Sequence, residues 1–167
     1  MLTAVAPEAR WRHLRVGRRI PVSSKEVAVD HTATLERMYE RINAHDVDGF
    51  CECLADDFVE HEVAPGLAPT KDGVRQFFTM YMAGFPDLRF EAEEILADGD
   101  KAVARVRCTG TQTGEFMGMP ATGRSVSVQA IDIIRFGDDG LAREHWGVFD
   151  ALGLMQQLGA IPEAAPA

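Results

Sequence analysis

The chain predicts a single α+β domain, with helices first and a meander of antiparallel strands after them, folded around an apolar pocket. Three observations carry that expectation. Apolar residues recur at helical spacing as far as Tyr81, whereas from Leu88 onward the texture changes to long strand-like stretches separated by short turns. The third is size: 167 residues with 46% apolar and 26% charged side chains suit one soluble domain with one core.

Leu35, Met38, Tyr39 and Ile42 share one helical face, and Asp46 then caps a second short helix carrying Val47, Phe50, Cys51 and Leu54. Phe58 to Val63 predicts a short strand. Pro65, Gly66 and Pro69 break the chain before Thr70 opens a helix with Val74, Phe77, Phe78 and Tyr81, which Phe85 and Pro86 end. Strands are expected from Leu88 to Leu96, Lys101 to Thr113, Ser125 to Phe136 and Leu141 to Phe149. Asp98-Gly99-Asp100 and Gly137-Asp138-Asp139-Gly140 supply turns, and a helix around Leu152 to Leu158 closes the domain. Short turns imply antiparallel pairing throughout.

Charge divides the chain unevenly. Residues 1–30 hold six Arg/Lys against three acids and stand apart as a flexible basic extension, an Arg-rich transit peptide being the alternative, with the domain at 31–162 and a tail at 163–167. A net charge of −9 argues against nucleic acid and anionic membrane as partners, and no apolar stretch approaches a membrane span. A small, largely apolar molecule fits better. Cys51, Cys53 and Cys108 form neither a disulfide framework nor a zinc pattern, so they read as buried thiols in a reducing, cytoplasmic setting. No nucleotide-binding glycine run, nucleophile elbow or metal signature is present, so neither cofactor nor metal is expected.

Catalytic candidates stand where an ionisable residue interrupts an inward strand face. Asp132 shares its side with Val126, Val128, Ala130, Ile134 and Phe136, and burial there would raise its pKa toward the range a general acid or base needs. The alternatives are a partnered structural Asp, or an opposite-face orientation, since Ile131 and Ile133 make the other face apolar too. His61 is placed on the side of Val59 and Val63, with Glu60 and Glu62 opposite, and offers a proton carrier. His145 lies on the face of Gly147 and Phe149, where glycine leaves space beside the ring, while Trp146 faces the other way as packing or interface. Asp132, His61 and His145 are thus expected to converge. Glu60, Phe78, Met82, Phe116 and Phe149 are expected to contact the substrate.

The stretch GEFMGMPATGR at 114–124, then VQAIDIIRF and GLAREHWGVFDALGLMQQLG, resembles the C-terminal half of SnoaL-like polyketide cyclases and the ester cyclases; DDFVEHEVAPGLAPTKDGVRQFF and FPDLRFEAEEILADGDKAVAR extend the likeness over about 32–161. The resemblance implies the cone-shaped α+β barrel of the nuclear transport factor 2-like (cystatin-like) proteins, a curved antiparallel sheet wrapped around N-terminal helices and a deep apolar cavity. It also implies a homodimer and ring closure by intramolecular aldol condensation with an acidic residue moving the proton. One departure matters: the resemblance places the cyclases' acid/base Asp at Gly147, so that role does not carry over, whereas Asp132 matches a substrate-contacting position. A cofactor-free cyclase, isomerase or lyase is therefore the leading expectation. A non-catalytic binder or scaffold with the same cavity is the alternative, and epoxide hydrolysis a weaker third.

Overall fold

The computed structural model describes residues 30–162, so the expected extension at 1–30 lies almost wholly outside the described residues, as does the tail at 163–167. Helix α1 spans His31–Asn43 and buries Leu35, Met38, Tyr39 and Ile42, the stripe its spacing predicts. Its N-cap is Asp30, whose carboxylate accepts from the Thr32 and Ala33 amides. Asp46 caps the short α2, Val47–Cys51, and Thr70 caps α3, Lys71–Gly84. The last helix, α4, covers Ala151–Gln157 behind the cap Asp150.

Five strands form one sheet: β1 Leu54–Glu60, β2 Arg89–Asp98, β3 Lys101–Thr111, β4 Ser125–Phe136 and β5 Ala142–Phe149. Their order is β1-β5-β4-β3-β2, so the sheet is curved but unclosed, with β1 and β2 at its edges. Pairing is antiparallel from β2 to β5, as the short turns predict. The β1–β5 pair is parallel, a correction to the all-antiparallel expectation, and is possible because β1 is separated from the rest of the sheet by α3. β1 begins at Leu54, four residues before the expected strand start and on a residue expected in α2. Register shifts between Ala92 and Glu94 and between Arg135 and Phe136 bend the strands they interrupt.

Curvature gives the sheet a concave face, and burial alternates along the strands accordingly. On β3 the inward residues are Ala102, Ala104, Val106 and Cys108; on β4 they are Val126, Val128, Ala130, Ile134 and Phe136. Small alanines in the middle of the face leave room where bulkier residues would fill the core. Helix α1 lies over β2 and β3 and α3 over β1, so the space between helices and sheet stays partly open. No helix among the described residues is long and apolar enough to cross a membrane.

Candidate active site

The opening between helices and sheet is a cavity of about 350 Å³, a size suited to one small ligand. Its walls are almost entirely apolar, with Phe50, Phe58, Phe77, Phe78, Phe90 and Phe149 among them. Its ionisable groups gather in one corner, formed by Tyr39 of α1, Glu60 of β1, Glu62 just beyond it, Asp132 of β4 and His145 of β5, with Tyr81 and Cys108 also in the lining. Strand alternation brings them together. Asp132 is directly opposite Gly147 in the β4–β5 ladder, and Glu60 pairs with His145 across β1–β5.

Asp132 faces the cavity, as its stripe predicts, and its carboxylate is partnered. The Tyr39 hydroxyl donates to Asp132 Oδ2 at 2.6 Å, and His145 Nε2 lies 3.4 Å from Oδ1. The other ring nitrogen of His145, Nδ1, lies 2.8 and 2.9 Å from the two Glu60 oxygens. One imidazole thus bridges two carboxylates. Burial alone would strip its proton, but the hydrogen bonds to Asp132 and Glu60 and the charges of both outweigh that and push its pKa up to about 10. At neutral pH His145 is therefore an imidazolium donating from both nitrogens. Burial, then the Asp132 charge and the bond to it, holds the Tyr39 hydroxyl far above the ordinary phenol range, so it remains a donor. Burial likewise pushes the Cys108 thiol up to about 12, which keeps it protonated and poorly nucleophilic.

His61 does not join this corner. Its Nε2 pairs with Glu144 Oε2 at 2.9 Å, and its ring stacks on Trp146 with centroids 4.6 Å apart. The physical reason is an inverted face: Phe58 and Glu60 point into the cavity, so Val59 and His61 point out. Of the expected substrate contacts, Glu60, Phe78 and Phe149 line the cavity. Phe116 does not; it is fully buried, packed between Tyr81 and Phe85. Met82, one turn from Phe78, is turned into the surrounding core rather than the cavity wall.

Two members of the corner were not singled out from sequence. Tyr39 reads as one more apolar position of an amphipathic helix, although a hydroxyl buried on such a stripe needs a partner, which was the available signal. Glu62 was assigned to the outer face together with Glu60. Among the described residues no three His, Cys, Asp or Glu side chains are grouped as metal ligands, and the bridging geometry explains why: Glu60 and Asp132 approach the imidazole from opposite sides.

A curved open sheet packed on helices, enclosing an apolar cavity with one acid–imidazole corner, defines a small-molecule pocket protein of the nuclear transport factor 2-like class. The sequence profile of the SnoaL-like polyketide cyclases matches residues 33–158, and the chain belongs to that family. Among solved structures, AclR of Streptomyces galilaeus, a candidate hydroxylase, superposes with a TM-score of 0.73 at 29% identity, over 81% of this chain and 85% of its own. TsrD of Streptomyces laurentii gives 0.72 at 32% identity, over 81% of this chain and all of its own. IdmH of Streptomyces antibioticus, a candidate polyketide cyclase, gives 0.68 at 30%, over 78% and 99%. The aklanonic acid methyl ester cyclase DnrD of Streptomyces peucetius is 37% identical over 73 residues, 44% of this chain; the match spans half the length of that relative.

Proposed function

We propose that the cavity is the active site of a cofactor-free cyclase, isomerase or lyase acting on a small, largely apolar carbonyl compound, with Asp132 moving the proton. The observation that supports it is the Asp132 carboxylate at the wall of an apolar cavity, oriented by the Tyr39 hydroxyl and the His145 imidazolium. A carbonyl compound bound there presents an acidic C–H to Asp132. The C–H bond breaks, its proton passes to the carboxylate, and the electron pair moves onto the carbonyl oxygen as an enolate. His145 holds the neighbouring carboxylates in place and supplies positive charge where negative charge develops. Cyclisation follows when the enolate carbon attacks a second carbonyl of the same molecule. On the outer face, Ile131 and Val148 flank the Trp146 row and support pairing with a second copy of the chain.

The test uses 2-tetralone, an apolar bicyclic ketone, whose α-proton exchange in D2O is followed by NMR. The wild-type protein is expected to accelerate exchange, and Asp132→Asn to lose that acceleration by ~10²- to 10⁴-fold. Binding of 2-naphthol, which mimics the enol, is expected to survive the substitution. Binding of 2-naphthol with no acceleration in the wild type would refute the acid–base reading and leave a non-catalytic binder.

A further inference from the structure

We infer that Glu62 is a second catalytic carboxyl of this site, the proton donor to the substrate oxygen, and that Gly147 is the positioning residue that makes room for it. The inference rests on the acid–base reading of Asp132 and goes beyond it by assigning the other half of the proton transfer.

The placement follows from strand geometry. Phe58 and Glu60 point into the cavity, and Glu62, two residues further, keeps to the same side beyond the end of β1. One bond holds this segment on β5, the His61 amide donating to the His145 carbonyl at 2.9 Å, and a local one fixes its turn, the Glu62 amide donating to Glu60 Oε1 at 2.8 Å. The side chain then folds back over Gly147. A Cβ added to Gly147 would overlap Glu62 Oε2 and come within 3.0 Å of Glu62 Cδ and of His145 Cε1. The carboxyl therefore occupies the volume that any side chain at 147 would need. Because Gly147 is the ladder partner of Asp132, this brings the two acids into the same corner.

Glu62 differs from its neighbours in being free. The hydrogen bonds of the corner end on Glu60 and Asp132, and among the described residues none ends on the Glu62 carboxyl. Glu62 is exposed as a residue and also lines the cavity, so it stands between the cavity and solvent. Partial burial pushes its pKa up; the His145 charge opposes that shift, and the charges of Asp132 and Glu60 reinforce it. Tyr39, Tyr81 and Cys108, which also face this corner, remain neutral and protonated over the same range. Glu62, unpartnered and with its pKa raised, is thus suited to give a proton, while Asp132 is held in place by Tyr39 and His145.

The step balances within the molecule. Asp132 takes the proton from carbon, the enolate carbon forms the new C–C bond, and the carbonyl oxygen under attack takes up the electron pair and receives the Glu62 proton. Exchange with solvent at the cavity mouth then returns a proton to Glu62 and removes one from Asp132. In simple exchange of an α-proton, Glu62 protonates the enolate oxygen instead.

The test compares Glu62→Gln, Gly147→Ala and Asp132→Asn with the wild type in 2-tetralone exchange, 2-naphthol binding and carboxyl-carbon NMR. Glu62→Gln is nearly isosteric at an exposed residue, so the fold survives it. Expected are a loss of ~10²-fold or more in exchange rate, 2-naphthol affinity within a few-fold of wild type, and disappearance of the alkaline decline that loss of the Glu62 proton imposes on the wild-type pH profile. Gly147→Ala is expected to displace the carboxyl, lowering kcat more than it changes KM and returning the Glu62 midpoint toward the ordinary glutamate value. A wild-type rate in Glu62→Gln, with Asp132→Asn inactive, overturns the assignment of Glu62 alone. A wild-type Glu62 midpoint at or below the ordinary value near ~4.3 also overturns it. Wild type and all variants indistinguishable from buffer overturn the acid–base reading together with it.

Discussion

Raising the pH from about 7 to about 8.5 is expected to remove ~2 kcal/mol of folding stability through a single residue, His145. Its folded pKa is raised to about 10 against an ordinary 6.5, because two carboxylates bond to the ring. A raised pKa in a basic group contributes stability that is fully present below the unfolded value and is lost as pH climbs to the folded one. Between those values the native state holds one more proton than the unfolded chain, so stability falls by ~1.4 kcal/mol per pH unit once the unfolded histidine is neutral. The imidazole side chain is only 19% exposed, so solvent screening takes little from this figure. The assay is urea denaturation followed by tryptophan fluorescence, in wild type and in His145→Gln, over a range that stops short of ordinary Lys and Tyr titration, with cysteine ionisation of the unfolded chain common to both proteins. The wild-type midpoint should fall across the interval and the His145→Gln midpoint should stay nearly level. A flat wild-type profile, or the same slope in both proteins, would refute the imidazolium bridge. An imidazole NMR titration gives the folded midpoint directly, and Glu60→Gln should lower it by removing one of the two carboxylates.

Two further outcomes separate the inner corner from the outer face. Tyr39→Phe removes the 2.6 Å bond to Asp132 and leaves a buried carboxylate one donor short, so chemical denaturation should register a loss of ~1.5–3 kcal/mol. A loss below ~0.5 kcal/mol would mean that water replaces the hydroxyl there. His61→Ala breaks a half-exposed pair with Glu144 and the stack on Trp146, and should cost no more than ~1 kcal/mol while changing the tryptophan emission. It should leave 2-tetralone exchange at the wild-type rate; a large loss of exchange would place His61 in the cavity after all.

The elements themselves were legible wherever periodicity was long. β4 runs Ser125–Phe136 as its twelve-residue alternation implies, but Ile131 and Ile133 make its other face apolar too, so it took the tertiary structure to turn Asp132 inward. Helix α1 buries the stripe from Leu35 to Ile42 because four apolar positions at helical spacing leave one orientation. β1 was harder to read. Its stretch includes Ala55, Asp56 and Asp57 before Phe58, and after it Glu60, His61 and Glu62 alternate acid with imidazole, so neither side reads as apolar from sequence. The valines at 59 and 63 suggested one inward face, whereas Phe58 anchors the opposite one in the core. One residue of register exchanges every side chain between faces, which is why His61 leaves the site while Glu60 and Glu62 enter it. Phe116 and Met82 were misplaced for a different reason: apolar character distinguishes core from surface but not core from cavity wall.

By itself the sequence determined the α+β class, the order of helices and strands, the family and the empty position at Gly147. Those properties follow from short-range periodicity, turn chemistry and motif, all of which are written along the chain. Only the tertiary structure decided that β1 pairs in parallel with β5, that Glu60 and Asp132 clasp one imidazole from strands distant in sequence, that Tyr39 reaches Asp132 from α1, and that the Glu62 carboxyl fills the space over Gly147. Each of these is a meeting of residues from separate elements, and charge, hydrogen bonding and burial at such a meeting depend on distances that no local pattern encodes.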